Sequence, residues 1–328
     1  MKTGEVSYKE LGISKFNVVQ ADNFMGSIYE ASPFGKIWYV DVTNGSDGNL
    51  GDGPNAGEAF ASIGAAITAA VATRGDTVVI APGTYTITAV LAPKAFMTFR
   101  AAVVNPQAPS VSIRGDITNL MTVDVNGCRF VGIEFRATGA STGAATNRDL
   151  ISLGATTAIT GGVTFEDCVF NGNDATGPIQ NGVAGVRVGK TNATTGLVIR
   201  RCTFRDLGRT PLEIGASGVP YAKIEDNAFI IDTPLGWGIR LEDTTAFGTG
   251  KGFTIRNNEF LGQAATSPDF VGISIVGTVD ATAAGIIRTN YFAYCAAAAI
   301  TVDKLTEGII QNYVGDQGGK LVDSEAGV

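Results

Sequence analysis

Arg187, Glu213, Arg240 and Glu242 stand in or beside three short apolar segments, "GVRV" (185–188), "LEI" (212–214) and "GIRL" (238–241). Alternation of apolar and charged residues in extended chain puts Arg187, Glu213 and Arg240 on one outward face. Acids on such a face could form a carboxylate pair for inverting hydrolysis, with Asp174 and Glu213 or Glu242 and Asp243 as the pairs on offer. The set mixes signs and does not assemble a metal cage. Its structural alternative is solvated surface and loop caps. Trp237 and Tyr221 lie near the same segments and could stack on a sugar ring, or simply pack. Asp47 and Asp52, among the glycines of "NGSDGNLGDG" (44–53), offer oxygen ligands for Ca²⁺, but their spacing does not match an EF-hand loop. No other cofactor is expected.

Histidine is absent from all 328 residues. That excludes His-ligated metals, Ser-His-Asp and Cys-His nucleophiles, and a histidine base. Cys128, Cys168, Cys202 and Cys295 have no CxxC spacing and read as small buried apolar residues.

The elements that would position these residues repeat. "VTFEDCVF" (163–170), "LVIRRCTF" (197–204), "AKIEDNAF" (222–229), "FTIRNNEF" (253–260) and "GIIRTNYF" (285–292) share one outline, with "FVGIEF" (130–135) before them and "GIIQNYV" (308–314) after. Successive aromatics Phe170, Phe204, Phe229, Phe260 and Phe292 are 34, 25, 31 and 32 residues apart. A constant outline with a variable period indicates a solenoid with loop insertions. Five positions before the aromatic are Phe165, Ile199, Ile224, Ile255 and Ile287; two before it are Cys168, Cys202, Asn227, Asn258, Asn290 and, in the last copy, Asn312. The apolar parity breaks there, which suggests a bend whose polar corner residue turns inward. Stacked amides at that corner could hydrogen-bond from coil to coil. The charges four before the aromatic, Glu166, Arg200, Glu225, Arg256 and Arg288, read as register-keeping ion pairs. Two strands and turns per repeat predict a right-handed parallel β-helix, all-β.

Composition agrees. Glycine numbers 43 and proline 11, charged residues are 17%, and net charge is −7. Tight turns are favoured, and no electrostatic footprint for nucleic acid is present. No apolar run is long enough for a membrane span. The opening "MKTGEVSYKELGISKF" lacks the apolar core of a signal peptide, so synthesis in a host cytoplasm is expected.

"IWYVDVTNGSDGNLGDGP" (37–54) is followed by "AFASIGAAITAAVATRGDTVVIAPGTYT" (59–86), where Ile63, Ala66, Ile67, Ala70 and Val71 form a helical stripe over about 62–73. This order resembles the start of pectin-lyase-like right-handed β-helix proteins, whose helix caps the first coil. The resemblance implies a β-helix over 37–314, an N-terminal arm over 1–36 and a C-terminal tail over 315–328. That family holds pectate and pectin lyases, polygalacturonases and virion proteins. A polygalacturonase-like site would use clustered Asp with a His and an Arg-x-Lys element, both missing here. A pectate-lyase-like site would need acids around Ca²⁺ with an Arg or Lys base, and the nearest substitute is the Arg187, Glu213, Arg240 and Glu242 set. The resemblance and the missing parts together favour a structural virion component without catalysis: a decoration, fibre or tailspike-like protein. It is expected as a homo-oligomer, a trimer in particular, attached to other virion proteins through residues 1–36, with a surface glycan as a further ligand. The alternative is a polysaccharide lyase or glycoside hydrolase of the same fold.

Overall fold

The computed structural model describes residues 35–105, 107–138, 148–174, 177–178, 183–189, 192, 194–215, 219–231, 236–242, 252–262, 271–276, 285–293, 298–302, 309–310 and 312–314. The expected arm up to residue 34 and the tail lie outside them, as do Asp243 and Cys295. The chain is an all-β, right-handed parallel solenoid with one helix near its N-terminal end. Three parallel sheets run along it. Sheet A has ten strands from Ile37–Val40 to Ile309–Ile310, sheet B nine from Gly83–Thr86 to Tyr313–Val314, and sheet C seven from Asn119–Val123 to Ala298–Val302. A single coil shows the plan: Val163–Glu166 lies in sheet A, Val169–Asn171 in sheet B, and Val183–Val188 in sheet C. Sheet C's first strand appears later in the chain than those of A and B.

Register explains the core. Phe165, Ile199, Ile224, Ile255 and Ile287 pair in sequence along sheet A, and all are buried. Along sheet B the rings of Phe135, Phe170, Phe204, Phe229, Phe260 and Phe292 stack at centroid spacings of 5.5, 4.6, 4.7, 4.7 and 4.8 Å. Those spacings match the rise between neighbouring strands, so identical residues stack without strain.

The parity break between sheets A and B is a left-handed turn. Asp167, Arg201, Asp226, Asn257 and Thr289 have φ between 52° and 58°. Asp and Asn tolerate this region; Arg and Thr do so at a cost. Their side chains bond along the stack, Arg201 Nε to Asp167 Oδ1 at 2.8 Å and Asn257 Nδ2 to Asp226 Oδ1 at 3.1 Å. The next residue turns inward. Asn227, Asn258, Asn290 and Asn312 are buried there, and Cys168 and Cys202 occupy the same column. Asn258 Oδ1 accepts from Asn227 N–H at 3.0 Å and Nδ2–H at 2.9 Å, while its own Nδ2 donates to the Ile224 carbonyl and to Asn290 Oδ1, both at 2.9 Å.

Asn258→Ala leaves these partners unsatisfied in a dry interior and should cost about 2–3 kcal/mol in urea unfolding. Glu225, paired with Arg256 at 2.9 Å on the outer face of sheet A, should tolerate Glu225→Gln within about 1 kcal/mol. Equal losses for the two variants would contradict the inward placement of the amide column.

The helix is shorter than its sequence stripe, spanning Ile63–Ala69. Ser62 caps it by accepting from Ala65 N–H, and Ile63, Ala66 and Ile67 face the core. Ala70 is buried but extended (ψ 153°), and Val71 is 49% exposed. The helix stops because Val71 N–H is drawn to Asp76 Oδ2 at 2.9 Å instead of continuing the ladder. Lys94 Nζ also takes the Thr68 and Ala70 carbonyls at the helix end.

Candidate active site

Sheet C aligns Ser152, Arg187, Glu213, Arg240, Ser274 and Thr301 in one outward column. Behind it Ile151, Val186, Leu212, Ile239, Ile273 and Ile300 form a fully buried inner column. The rigid inner column fixes the spacing of the outer side chains to about 4.8 Å per coil.

The outer face here is not solvated surface. Glu213 is 1% exposed and Asp149, one coil before Arg187, is 6% exposed. Arg187 lies between them, Nη1 3.7 Å from Asp149 Oδ2 and Nε 3.6 Å from Glu213 Oε1. Arg209, four residues before Glu213, reaches its Oε2 at 2.7 Å. Asp149 Oδ1 has no hydrogen-bond partner among the described residues. Burial pushes the Asp149 carboxyl up to about 6; Arg187 and Arg209 draw it down, and Glu213 adds to the rise. One more coil along, the Arg240 guanidinium sits 4.2 Å over the Trp237 ring.

The cluster therefore joins two buried carboxylates separated by one guanidinium, one of them poised to hold a proton near pH 6. Among the described residues the cluster holds three arginines, Arg187, Arg209 and Arg240, and two acids, Asp149 and Glu213. An arginine pressed between carboxylates acts as a charge and a hydrogen-bond donor, not as a base.

The structure assembles Arg187, Glu213 and Arg240 in one column, as their alternation suggests, but buries Glu213, where the sequence offered solvated surface as its reading of these acids. Leu207 and Thr210, in the loop before the strand, are buried as well, and Arg209 of that loop pairs with the acid. Glu242 ends the Trp237–Glu242 strand, and its side chain lies outside what is described. The pairs Asp174 with Glu213 and Glu242 with Asp243 also rest on undescribed side chains. Asp149 and Arg209 were missed. A signal existed for Asp149: "ISLG" (151–154), "VRVG" (186–189) and "LEIG" (212–215) share a strand ending, which places Asp149 on the preceding coil. Arg209 had none, since its reach depends on a loop path.

Trp237 and Tyr221 are not brought together. Trp237 opens a sheet C strand, while Tyr221 lies in the turn before the sheet A strand Lys223–Glu225. Asp47 does not offer a free carboxylate to a metal. Its Oδ1 accepts from Ala61 N–H at 3.0 Å and Ser62 N–H at 2.8 Å, and its Oδ2 from Ser62 Oγ–H at 2.7 Å, so it anchors the helix start. Asp52 is exposed in the same loop.

A long stack of three parallel sheets defines the class: a right-handed parallel β-solenoid. No family model matches the sequence, and no curated protein matches it either. Among solved structures the chain is similar to the pectin methylesterase of Aspergillus niger, with 14% identity, a TM-score of 0.51, and coverage of 88% of this chain and 87% of that one. It is also similar to a PL6-family alginate lyase, with 13% identity and a TM-score of 0.53, covering 87% of this chain and 40% of that one. At such identities the likeness establishes the fold. These relatives overturn the expectation of a non-catalytic virion component: the matching structures are polysaccharide-acting enzymes, and no virion protein is among them. The missing histidine had carried that expectation too far, because acid–base chemistry on this scaffold can rest on carboxylates alone. Among the described residues, no helix is long and apolar enough to cross a membrane.

Proposed function

We propose that the chain is a hydrolase of acidic polysaccharides, with Asp149, Arg187, Arg209 and Glu213 as its active site. The observation that carries this reading is the pair of buried carboxylates on alternate coils, one pushed up to about 6 with a free oxygen. They flank the Arg187 guanidinium, Asp149 Oδ2 3.7 Å from Nη1 and Glu213 Oε1 3.6 Å from Nε; an inverting pair stands roughly 6.5–9.5 Å apart. Asp149 in its protonated form donates to the leaving oxygen as the glycosidic C–O bond breaks. Glu213 takes a proton from the water whose oxygen forms the new bond to the sugar carbon. Arg187 and Arg209 bind the substrate's carboxylate and hold the two acids apart. The polysaccharide-acting relatives of the same fold support the substrate class.

Incubation with polygalacturonate, methylated pectin and alginate tests the reading. Release of reducing ends without ultraviolet absorbance is the expected result. Methanol release without new reducing ends would replace glycoside cleavage with ester hydrolysis at the same site. An absorbance rise from unsaturated uronate would mean elimination and would replace hydrolysis at this site. No product from any of the three polymers would end the hydrolase reading.

A further inference from the structure

A second feature lies around the corner from the sheet C cluster. Arg129, Thr164, Val198, Lys223 and Thr254 are register partners along sheet A. Two residues before each, in the turn that enters the sheet, stand Gly127, Gly162, Gly196, Tyr221 and Gly252. Gly127, Gly162 and Gly196 adopt φ of 74°, 76° and 71°, the left-handed region that glycine enters freely. Tyr221 adopts φ 61° at the same place, where a bulky side chain is strained. Phe96, two residues before Thr98 in the same register, does likewise at φ 64° and 46% exposure, so an exposed aromatic occurs twice in this column, and Tyr221 is 54% exposed. Its N–H is held by the Gly252 carbonyl at 2.9 Å, which fixes the strained turn.

The tyrosine borders a cleft of about 250 Å³ lined by Lys223, Gly252, Phe253, Thr254 and Ile286. That volume is below the roughly 300–1,000 Å³ of drug-sized sites and suits a single ring. Lys223 is exposed and has no acidic partner among the described residues. Lys223 and Thr254 line the cleft together with Tyr221, and an ammonium and a hydroxyl beside an aromatic ring are the combination that recognises a sugar bearing a carboxylate.

We propose that this cleft is an accessory subsite for one uronate unit of the polymer, with the Tyr221 ring stacked on the pyranose and Lys223 meeting its carboxylate. The proposal rests on the acidic-polysaccharide reading for its ligand class but not on the sheet C chemistry. Tyr221 follows Glu213 by eight residues, and the connecting turn carries the chain from sheet C to sheet A.

The test is calorimetric binding of a galacturonate hexasaccharide to the full chain, made in an Asp149→Asn background so that the probe is not consumed. Tyr221→Gly should weaken binding at least tenfold while the melting temperature stays level or rises, because glycine relieves the turn. Tyr221→Phe should bind within threefold of the parent, and Lys223→Gln should weaken binding and flatten its salt dependence. Undiminished affinity in Tyr221→Gly would overturn the subsite, as would equal affinity for a neutral glucose hexasaccharide. Loss of hexasaccharide binding in Tyr221→Gly by a protein that forms no product from any polymer would uphold the subsite and sink the hydrolase. Normal cleavage with Tyr221→Gly binding intact would do the reverse.

Discussion

Asp149→Asn should lower kcat on the cleaved polysaccharide by about 10²–10⁴-fold, the range for loss of a positioned acid or base. The amide keeps the shape of the side chain, so the solenoid should remain folded. The parent enzyme's activity should fall as pH rises through about 6, because Asp149 must be protonated to donate and its carboxyl lies near that value. The residual activity of the variant should lack this limb. The stability sign runs the same way. A folded value of about 6 against an ordinary 3.8 means that the folded chain holds the proton more tightly. Asp149 therefore favours folding at low pH, and its contribution is lost as pH rises through about 6. Asp149→Asn should narrow the difference in melting temperature between pH 5 and pH 8. A variant with kcat within threefold of the parent would remove Asp149 from the chemistry, whatever its effect on stability.

Asp76→Ala should cost about 3–5 kcal/mol, the usual scale for leaving buried partners of a carboxylate uncompensated. Asp76 is fully buried, and its two oxygens accept from Lys36 N–H at 2.8 Å, Trp38 Nε1–H at 3.0 Å, Val71 N–H at 2.9 Å and the Arg74 guanidinium at 2.5 and 2.6 Å. One side chain thus ties the first sheet A strand, the end of the helix and the entry to the second strand. Burial alone would raise its pKa, but these donors win and hold it at about 2. Its contribution is present above the ordinary value of 3.8 and is lost as pH falls through about 2. Asp76→Ala should expose the first coils, read as faster hydrogen exchange over 37–101 with less change in later coils. Uniform protection equal to the parent would show that the hub is dispensable.

The order of these coils is legible in the sequence because a solenoid is a local object. Side-chain parity sets which residues face inward, and each coil meets only its neighbours, so columns such as Phe170 to Phe292 and Asn227 to Asn312 can be read by alignment. The helix over Ile63–Ala69 was legible for the same reason, through its apolar stripe, though its end was not. That end depends on Asp76, five residues beyond Val71, competing for a backbone donor. The left-handed turn at Arg201 and Thr289 was also hidden, since these residue types disfavour it; register imposes it. The sheet A and sheet C charge columns look alike in sequence. Tertiary structure sorts the acids within them. In sheet A Glu225 is half-buried against Arg256, while Glu166 is buried between Arg129 and Arg200. In sheet C Glu213 is buried with Asp149 two coils away. The sequence determined the fold and the column on which the acids stand. Only the tertiary packing decided their burial, and burial is what pushes the Asp149 carboxyl up to about 6.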